Sequence, residues 1–218
     1  MADNYLENKF EQMQAGRKVV VRRNCLSLDT LLHRNRSVRG YDQSRKVTRK
    51  ELESIVAVNT LVASARNRQV LRFRLVTSEE AGKVAPLLRM GGALPEEHLP
   101  KQGQEPQAFI VICSTAPEDR YIDMDLGISM QSMGLRAAEM GLGCCIVCSF
   151  PADELQKALG LKLRPLAVLC VGKSAESIFL KPVDKNEPLD YYRKEGVHYV
   201  PKLKAEDIII PESSQNRF

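Results

Sequence analysis

One stretch constrains this chain more than any other: Asp125 to Gly143, DLGISMQSMGLRAAEMGLG, running directly into Cys144 and Cys145. Gly127, Gln131, Gly134, Leu135, Ala138 and Leu142 recur at steps of three and four residues. That spacing predicts one helix with those residues on a shared face. The face is built of small residues around a single amide, so another backbone can approach it closely. Periodicity alone favours a plain core helix, and the rest of the chain has to shift that weighting.

The other elements follow in order. Tyr5, Leu6, Phe10 and Met13 predict an arm helix within residues 4–16. Asp29 or Thr30 can cap a short helix that stops before Gly40. Thr48 with Glu51 three residues later is a capping box, opening a helix to about Ala65. Strands are expected at Leu71–Thr77, Ala108–Ser114, near Cys145–Cys148 and at Leu166–Gly172. Further helices are expected from Ser78 to Arg89 and from Pro151 or Ala152 to Leu159. Gly91–Gln107 holds glycine and proline and reads as a loop or lid, and beyond Gly172 the chain reads as mostly loop. Strands and helices interleave, but the strands are too few for a regular doubly wound sheet. The expectation is a single α+β domain over residues 28–200, with an N-terminal helical arm (1–27) and a C-terminal tail (201–218).

The net charge is 32 − 27 = +5. That excess suits an anionic small ligand, and no basic run interleaved with aromatics points to nucleic acid. The N-terminus, MADNYLENKFEQ, is polar, with no apolar core of signal-peptide length. The apolar runs Ala108–Cys113 and Pro165–Val171 are strand length, so no membrane span is expected. With no export signal, the six cysteines fit a reduced, cytoplasmic protein. Cys145-Ile146-Val147-Cys148 is formally C-x-x-C, a redox dithiol or half a zinc site, although Ile146 and Val147 also make it look like a buried strand. His33, His98 and His198 share no ligand spacing and read as surface or supporting residues rather than a catalytic base. No G-x-S-x-G elbow, P-loop or G-x-G-x-x-G fingerprint is present.

Two polar clusters carry chemistry. Arg36-Ser37-Val38-Arg39 puts two guanidinium groups and a hydroxyl within four residues, the donor set a phosphate needs. Ser64-Ala65-Arg66-Asn67-Arg68-Gln69 offers mixed donors and acceptors suited to a heteroaromatic edge or a polyol. Each read alone is also an ordinary polar turn.

Taken in order, these segments resemble the FMN-dependent nitroreductase family over roughly Leu31 to Lys173. The family's R-x-S-x-R/K phosphate motif is matched by Asn35-Arg36-Ser37-Val38-Arg39, with Asn35 in place of the usual first arginine. Its P-S-x-x-N-x-Q-P-W loop is matched by Ala63 to Leu71, with Val70 and Leu71 in place of Pro-Trp. Its long helix, D-x-G-x-x-x-Q-x-x-x-L-x-A-x-x-x-G-L-G, is matched by Asp125, Gly127, Gln131, Leu135, Ala138, Gly141, Leu142 and Gly143. The strand Ala167–Gly172 fits the next element.

The resemblance implies a nitroreductase-like fold: a central, mostly antiparallel sheet flanked by helices, in an intertwined homodimer with FMN at the interface. Arg36, Ser37 and Arg39 would hold the phosphate and ribityl end, and Asn35 would stand near the pyrimidine rim. Ser64, Asn67 and Gln69 would come from the partner subunit. Gln131 joins the cofactor-binding set from the long helix. Ile146, Val147 and Cys148 would lie along the flavin, offering backbone groups near N5. A basic residue after Gly172 would complete the phosphate site: Lys173, with Lys181 and Lys185 as alternatives. The implied activity is an NAD(P)H oxidoreductase with ping-pong kinetics. NADH or NADPH would deliver hydride to flavin N5 and leave, and a small acceptor such as a nitroarene or quinone would take its place. No side chain need act as acid or base.

Asn35 and the missing Pro-Trp motivate a rival, an FMN-binding protein with little reductase activity. Dehalogenating or flavin-cleaving relatives carry more lid sequence than Gly91–Gln107 provides. A cysteine-based redox protein would use Cys144, Cys145 and Cys148.

Overall fold

The structure, a computed structural model, describes residues 26–92, 94, 97 and 99–211. The arm helix expected within residues 4–16 lies outside them. Its centre is a four-stranded sheet of β1 (Leu71–Val76), β2 (Ala108–Ser114), β3 (Gly143–Val147) and β4 (Pro165–Gly172). The order is β1-β2-β4-β3 and every pairing is antiparallel. The sequence explains the order. AFIVICS and PLAVLCVG are continuous apolar runs, which need cover on both faces, and they take the two central places. LRFRLV alternates with charge and takes an edge.

Successive side chains on β2 alternate between two cores. Ile110 and Ile112 pack with Leu169 under α2 (Arg49–Val56) and α3 (Arg120–Glu139), meeting Leu52, Ile55 and Met133. Phe109 and Val111 pack with Val168 on the opposite face, under Leu155 of α4 (Ala152–Leu159). The long helix begins at Arg120 rather than Asp125, because the Asp119 carboxylate accepts from the N–H groups of Tyr121 and Ile122. It ends at Glu139, where Leu142 N–H reaches back to Ala137 O at 2.8 Å.

The small-residue stripe divides along this helix. Gly134, Ala138 and Leu142 are buried, whereas Gly127 and Gln131 face outward beside exposed Tyr121, Met124 and Ile128.

Further expectations are corrected. The short helix α1 (Leu28–Arg34) is capped by Ser27, whose side chain accepts from Thr30 N–H, not by Asp29 or Thr30. Ser78–Arg89 is not a helix but two 3-10 turns, Ala81–Lys83 and Ala85–Leu87. Gly82 weakens that segment and Pro86 removes a donor. The chain after Gly172 is not mostly loop. It forms a second sheet of β5 (Ser177–Val183), β6 (Tyr192–Lys194) and β7 (Val197–Leu203), in the order β5-β7-β6. β5 pairs parallel with β7, and a tight turn with positive φ at Glu195 and Gly196 joins β6 antiparallel to β7. A four-residue helix, Ala205–Ile208, follows. Among the described residues no helix is long and apolar enough to cross a membrane.

The capping box of α2 forms as expected. Thr48 Oγ1 accepts from Glu51 N–H and the Glu51 carboxylate accepts from Thr48 N–H, although α2 gives way to a 3-10 turn that ends at Thr60, short of Ala65. The same carboxylate takes Arg45 Nη2 at 2.5 Å. That bond to Arg45, more than those to Thr48, holds Glu51 down to about 2. A carboxylate depressed on folding stabilises above its ordinary value of 4.5, and loses that contribution as pH falls from there through about 2. Thermal melts of wild type and Glu51→Gln should therefore differ at pH 7 and converge towards pH 2. A gap that stays constant would contradict the assignment.

Candidate active site

The segment Asn35–Tyr41 runs along the free edge of β3. Val38 N–H donates to Cys144 O at 2.9 Å, Ser37 pairs with Cys144, and Tyr41 bridges Ser174. Close approach is possible because position 143 is glycine: a Cβ there would stand 2.6 Å from Val38 Cγ2. Gly134 on α3 plays the same part for Asn35, whose Oδ1 would lie 2.7 Å from an added Cβ. The Asn35 amide donates to Gln131 Oε1 at 3.3 Å. Gly134 of the helix stripe and Gly143 at the start of β3 thus seat the Asn35–Val38 run against the long helix and the sheet.

That run lines three clefts: one of about 390 Å³ with His33, Arg34 and Glu176, and two smaller ones that adjoin. The larger of these two, about 290 Å³, is walled on one side by Arg36, Ser37 and Arg39 and on the other by His198, Val200 and Lys202 of β7. Among the described residues no carboxylate lines it. Arg36 Nη2 donates to Leu32 O, and the Arg39 guanidinium lies 4.6 Å over the Tyr191 ring. The Arg39 backbone N–H donates to Glu176 Oε2 at 2.6 Å. Glu176 also binds Arg193, which pairs with Glu97 at 3.0 Å. The Nε atoms of Arg36 and Arg39 are buried with no hydrogen-bond partner among the described residues. Burial lowers the Arg36 pKa, yet a guanidinium stays charged in protein. The smaller cleft, about 80 Å³, shares Asn35, Arg36 and Ser37 and adds Gln131 and Ile146. Ile146 points outward from β3, whereas Val147 is buried in the core and can offer only its backbone. Cys148 is exposed just beyond the strand.

Lys173 goes elsewhere: its ammonium pairs with Asp42 Oδ2 at 2.9 Å, and the carboxyl is held far below its usual range by that bond and by Ser44. Lys181 and Lys185 do not line the cleft either. Lys202 does, and the sequence reading missed it. The signal was the alternation His198, Val200, Lys202, which puts all three on one face once Val197–Leu203 is a strand.

Ser64 and Gln69 line a separate, mainly apolar cleft of about 410 Å³ with Val56, Val70 and Phe73. It shares no lining residue with the Arg36 clefts, so one protomer does not bring the two predicted groups together. The loop carrying Ser64 is anchored by Asp125, 6 % exposed, whose carboxylate accepts from Ser64 Oγ–H and Ala65 N–H, both at 2.7 Å. Ser64 Oγ in turn accepts from Gln69 N–H. Asn67 Oδ1 accepts from Gln69 Nε2 at 2.9 Å. Arg66, Asn67 and Gln69 all have positive φ (54°, 53° and 47°), a strained backbone.

Burial pushes Cys145 up to about 11 and raises Cys144, Cys148 and Cys170. The reactive thiolate is disfavoured throughout, which weighs against cysteine redox chemistry. The Gly91–Gln107 loop is tied to the Tyr41–Gln43 segment, through Tyr41 N–H to Gln104 O and Gln43 Nε2 to Glu105 O. None of its described residues lines the two smaller Arg36 clefts.

The family model of the nitroreductase family matches residues 32–173. No curated protein matches. Among solved structures, a nitroreductase family protein from Clostridium difficile 630 is similar at 25% identity. The match covers 69% of this chain and 86% of that one, with a TM-score of 0.54. The nitroreductase family protein from Streptococcus pneumoniae TIGR4 shares the fold at 16% identity, over 75% and 97% of the chains, with a TM-score of 0.59. An FMN-dependent nitroreductase from Clostridium difficile R20291 does so at 20% identity, over 69% and 89%, with a TM-score of 0.56.

Proposed function

The chain belongs to the nitroreductase family, and from that premise we propose that it is an FMN-dependent NAD(P)H oxidoreductase acting on a small electron acceptor such as a nitroarene or quinone. The observation that carries the reading is the pair of Arg36 Nε and Arg39 Nε beside Lys202, buried and unpartnered in a cleft without a carboxylate among the described residues. A buried donor left unpaired costs roughly 1–3 kcal/mol, so the site is built for an anionic acceptor. The phosphate of FMN fits that donor set.

Arg36, Ser37, Arg39 and Lys202 hold the phosphate end. The Asn35–Gln131 amide pair meets the polar rim of the ring, and Ile146 gives it an apolar wall. The flavin, when bound, supplies the transfer of a hydride from nicotinamide and of electrons to the acceptor. The chain's own task is to bind, orient and leave one ring face open, and no side chain is assigned as acid or base. Mixing the holoprotein anaerobically with NADH or NADPH tests this: bleaching of the flavin band supports it, and persistence of the band with both overturns it. Asn35, which stands in a neutral amide pair where the family has an arginine, favours a second reading, a flavoprotein with slow turnover. Reduction far slower than any acceptor half-reaction would select it.

The homodimer completes the site. Ser64, Asn67 and Gln69 serve the flavin of the other subunit, and the outward face of α3 around Gly127 meets its counterpart. Nothing lies within 4 Å of a Cβ built on Gly127 in one chain. Gly127→Leu should therefore fold, by circular dichroism, yet elute as a monomer and lose flavin. A variant that remains a flavin-bearing dimer would contradict this placement.

A further inference from the structure

We propose that His198 is a proton-linked anion sensor in the Arg36–Lys202 cleft, neutral when no anion is present and protonated when a phosphomonoester sits opposite it. The inference rests on the flavin-nucleotide reading above and adds a coupling between phosphate binding and proton uptake. His198 lies in β7, within the C-terminal sheet, beyond the residues that match the family model.

Three observations carry it. First, strand alternation places His198 on the same cleft wall as Val200 and Lys202, facing Arg36 and Arg39. Second, the imidazole is only 3% exposed, and its Nδ1 is buried without a hydrogen-bond partner among the described residues. A buried ring nitrogen left unpaired in a cleft already rich in unpaired donors marks a group awaiting a ligand. Third, charges of both signs surround the ring. Arg39 and Arg193 disfavour the imidazolium, while Glu176 and Glu97 favour it. Arg36 and Lys202 complete the charged groups around the cleft, and the Tyr191 ring lies 5.2 Å away at a tilt of 60°. Burial, the largest influence, then tips the ring below its ordinary value of 6.5.

A phosphomonoester changes that balance, because it carries about two negative charges above its second pKa near 6. Placed between Arg36, Arg39 and Lys202, it reverses the local field and draws one proton from solvent onto His198. The imidazolium then has donors on both nitrogens. The sign follows from linkage. The complex binds the proton more tightly than the free protein, so affinity is greatest at low pH and falls as pH rises between the two His198 pKa values. Above about pH 7 the phosphate is already dianionic and does not mask the effect. There the affinity should weaken by up to about tenfold per pH unit, levelling off once His198 is neutral in the complex as well.

The test is calorimetric titration of the full-length, flavin-stripped protein with FMN, in buffers of different ionisation enthalpy. Uptake approaching one proton per FMN is expected, with none for riboflavin, which lacks the phosphate. His198→Gln should still bind FMN but without uptake and with a flat pH profile. A second readout needs no variant: the chain has three histidines, and the imidazole resonance of His198 should move to its protonated position when FMN is added. FMN that binds, with its visible band perturbed, yet takes up no proton would overturn this inference and leave the flavin reading intact. Failure of FMN to bind at all would overturn both.

Discussion

Arg36→Ala should weaken FMN binding by roughly ten- to 150-fold, the equivalent of about 1.5–3 kcal/mol for a hydrogen bond to a charged group. Among the described residues Arg36 is the one cation that walls both smaller clefts, and its Nε is buried without a partner there. Its loss removes a forked donor that a phosphate can use in bidentate fashion. It also removes the bond to Leu32 O near the end of α1, a modest structural cost that a thermal melt can read separately. Arg36→Lys should recover part of the affinity, because it keeps the charge but not the planar fork. Fluorescence titration with FMN measures all three proteins. An Arg36→Ala variant that binds FMN as the wild type does would remove the phosphate from this cleft.

Asp125→Ala should be the most damaging single change outside the apolar core. It strips a charged acceptor from two short hydrogen bonds, to Ser64 Oγ–H and Ala65 N–H. Bonds to a charged group are worth about 1.5–3 kcal/mol each, so a loss of about 3 kcal/mol or more is expected. The damage spreads because Ser64 also receives Gln69 N–H. Without Asp125, the left-handed conformations at Arg66, Asn67 and Gln69 lose their anchor and the loop relaxes. Flavin affinity should fall with stability, unlike Arg36→Ala, which acts mainly on affinity. Asp125→Asn, retaining one acceptor, should lie between. Denaturant unfolding decides the matter: a cost below about 1 kcal/mol would mean that the loop holds itself.

The central sheet was legible because burial on both faces writes continuous apolar runs. Ala108–Ser114 was placed without error, and Leu71–Thr77 ran one residue long. The α2 capping box was equally plain, since Thr48 and Glu51 must sit three apart to serve each other's backbone. The long helix was recognised but misjudged at both ends, where Asp119 and the turn at Gly141 decide the limits.

The C-terminal sheet was missed for a physical reason. β6 is three residues long, and Pro182 interrupts the apolar pattern of β5. Only the Glu195-Gly196 pair between two short runs marked a hairpin. That miss cost the site its second wall. Lys202 and His198 are twenty or more residues past the Gly172 strand end, beyond the family pattern, and their alternation carries meaning only once Val197–Leu203 is known to be a strand. Conversely, Arg36, Ser37 and Arg39 were readable from four adjacent letters, because local donor density survives any fold.

The most direct measurement is the visible absorption spectrum of the freshly purified, full-length protein before any FMN is added. A flavin spectrum is expected, with the chromophore released on denaturation identified as FMN. A colourless protein that remains colourless after incubation with FMN and dialysis would contradict the account at its centre.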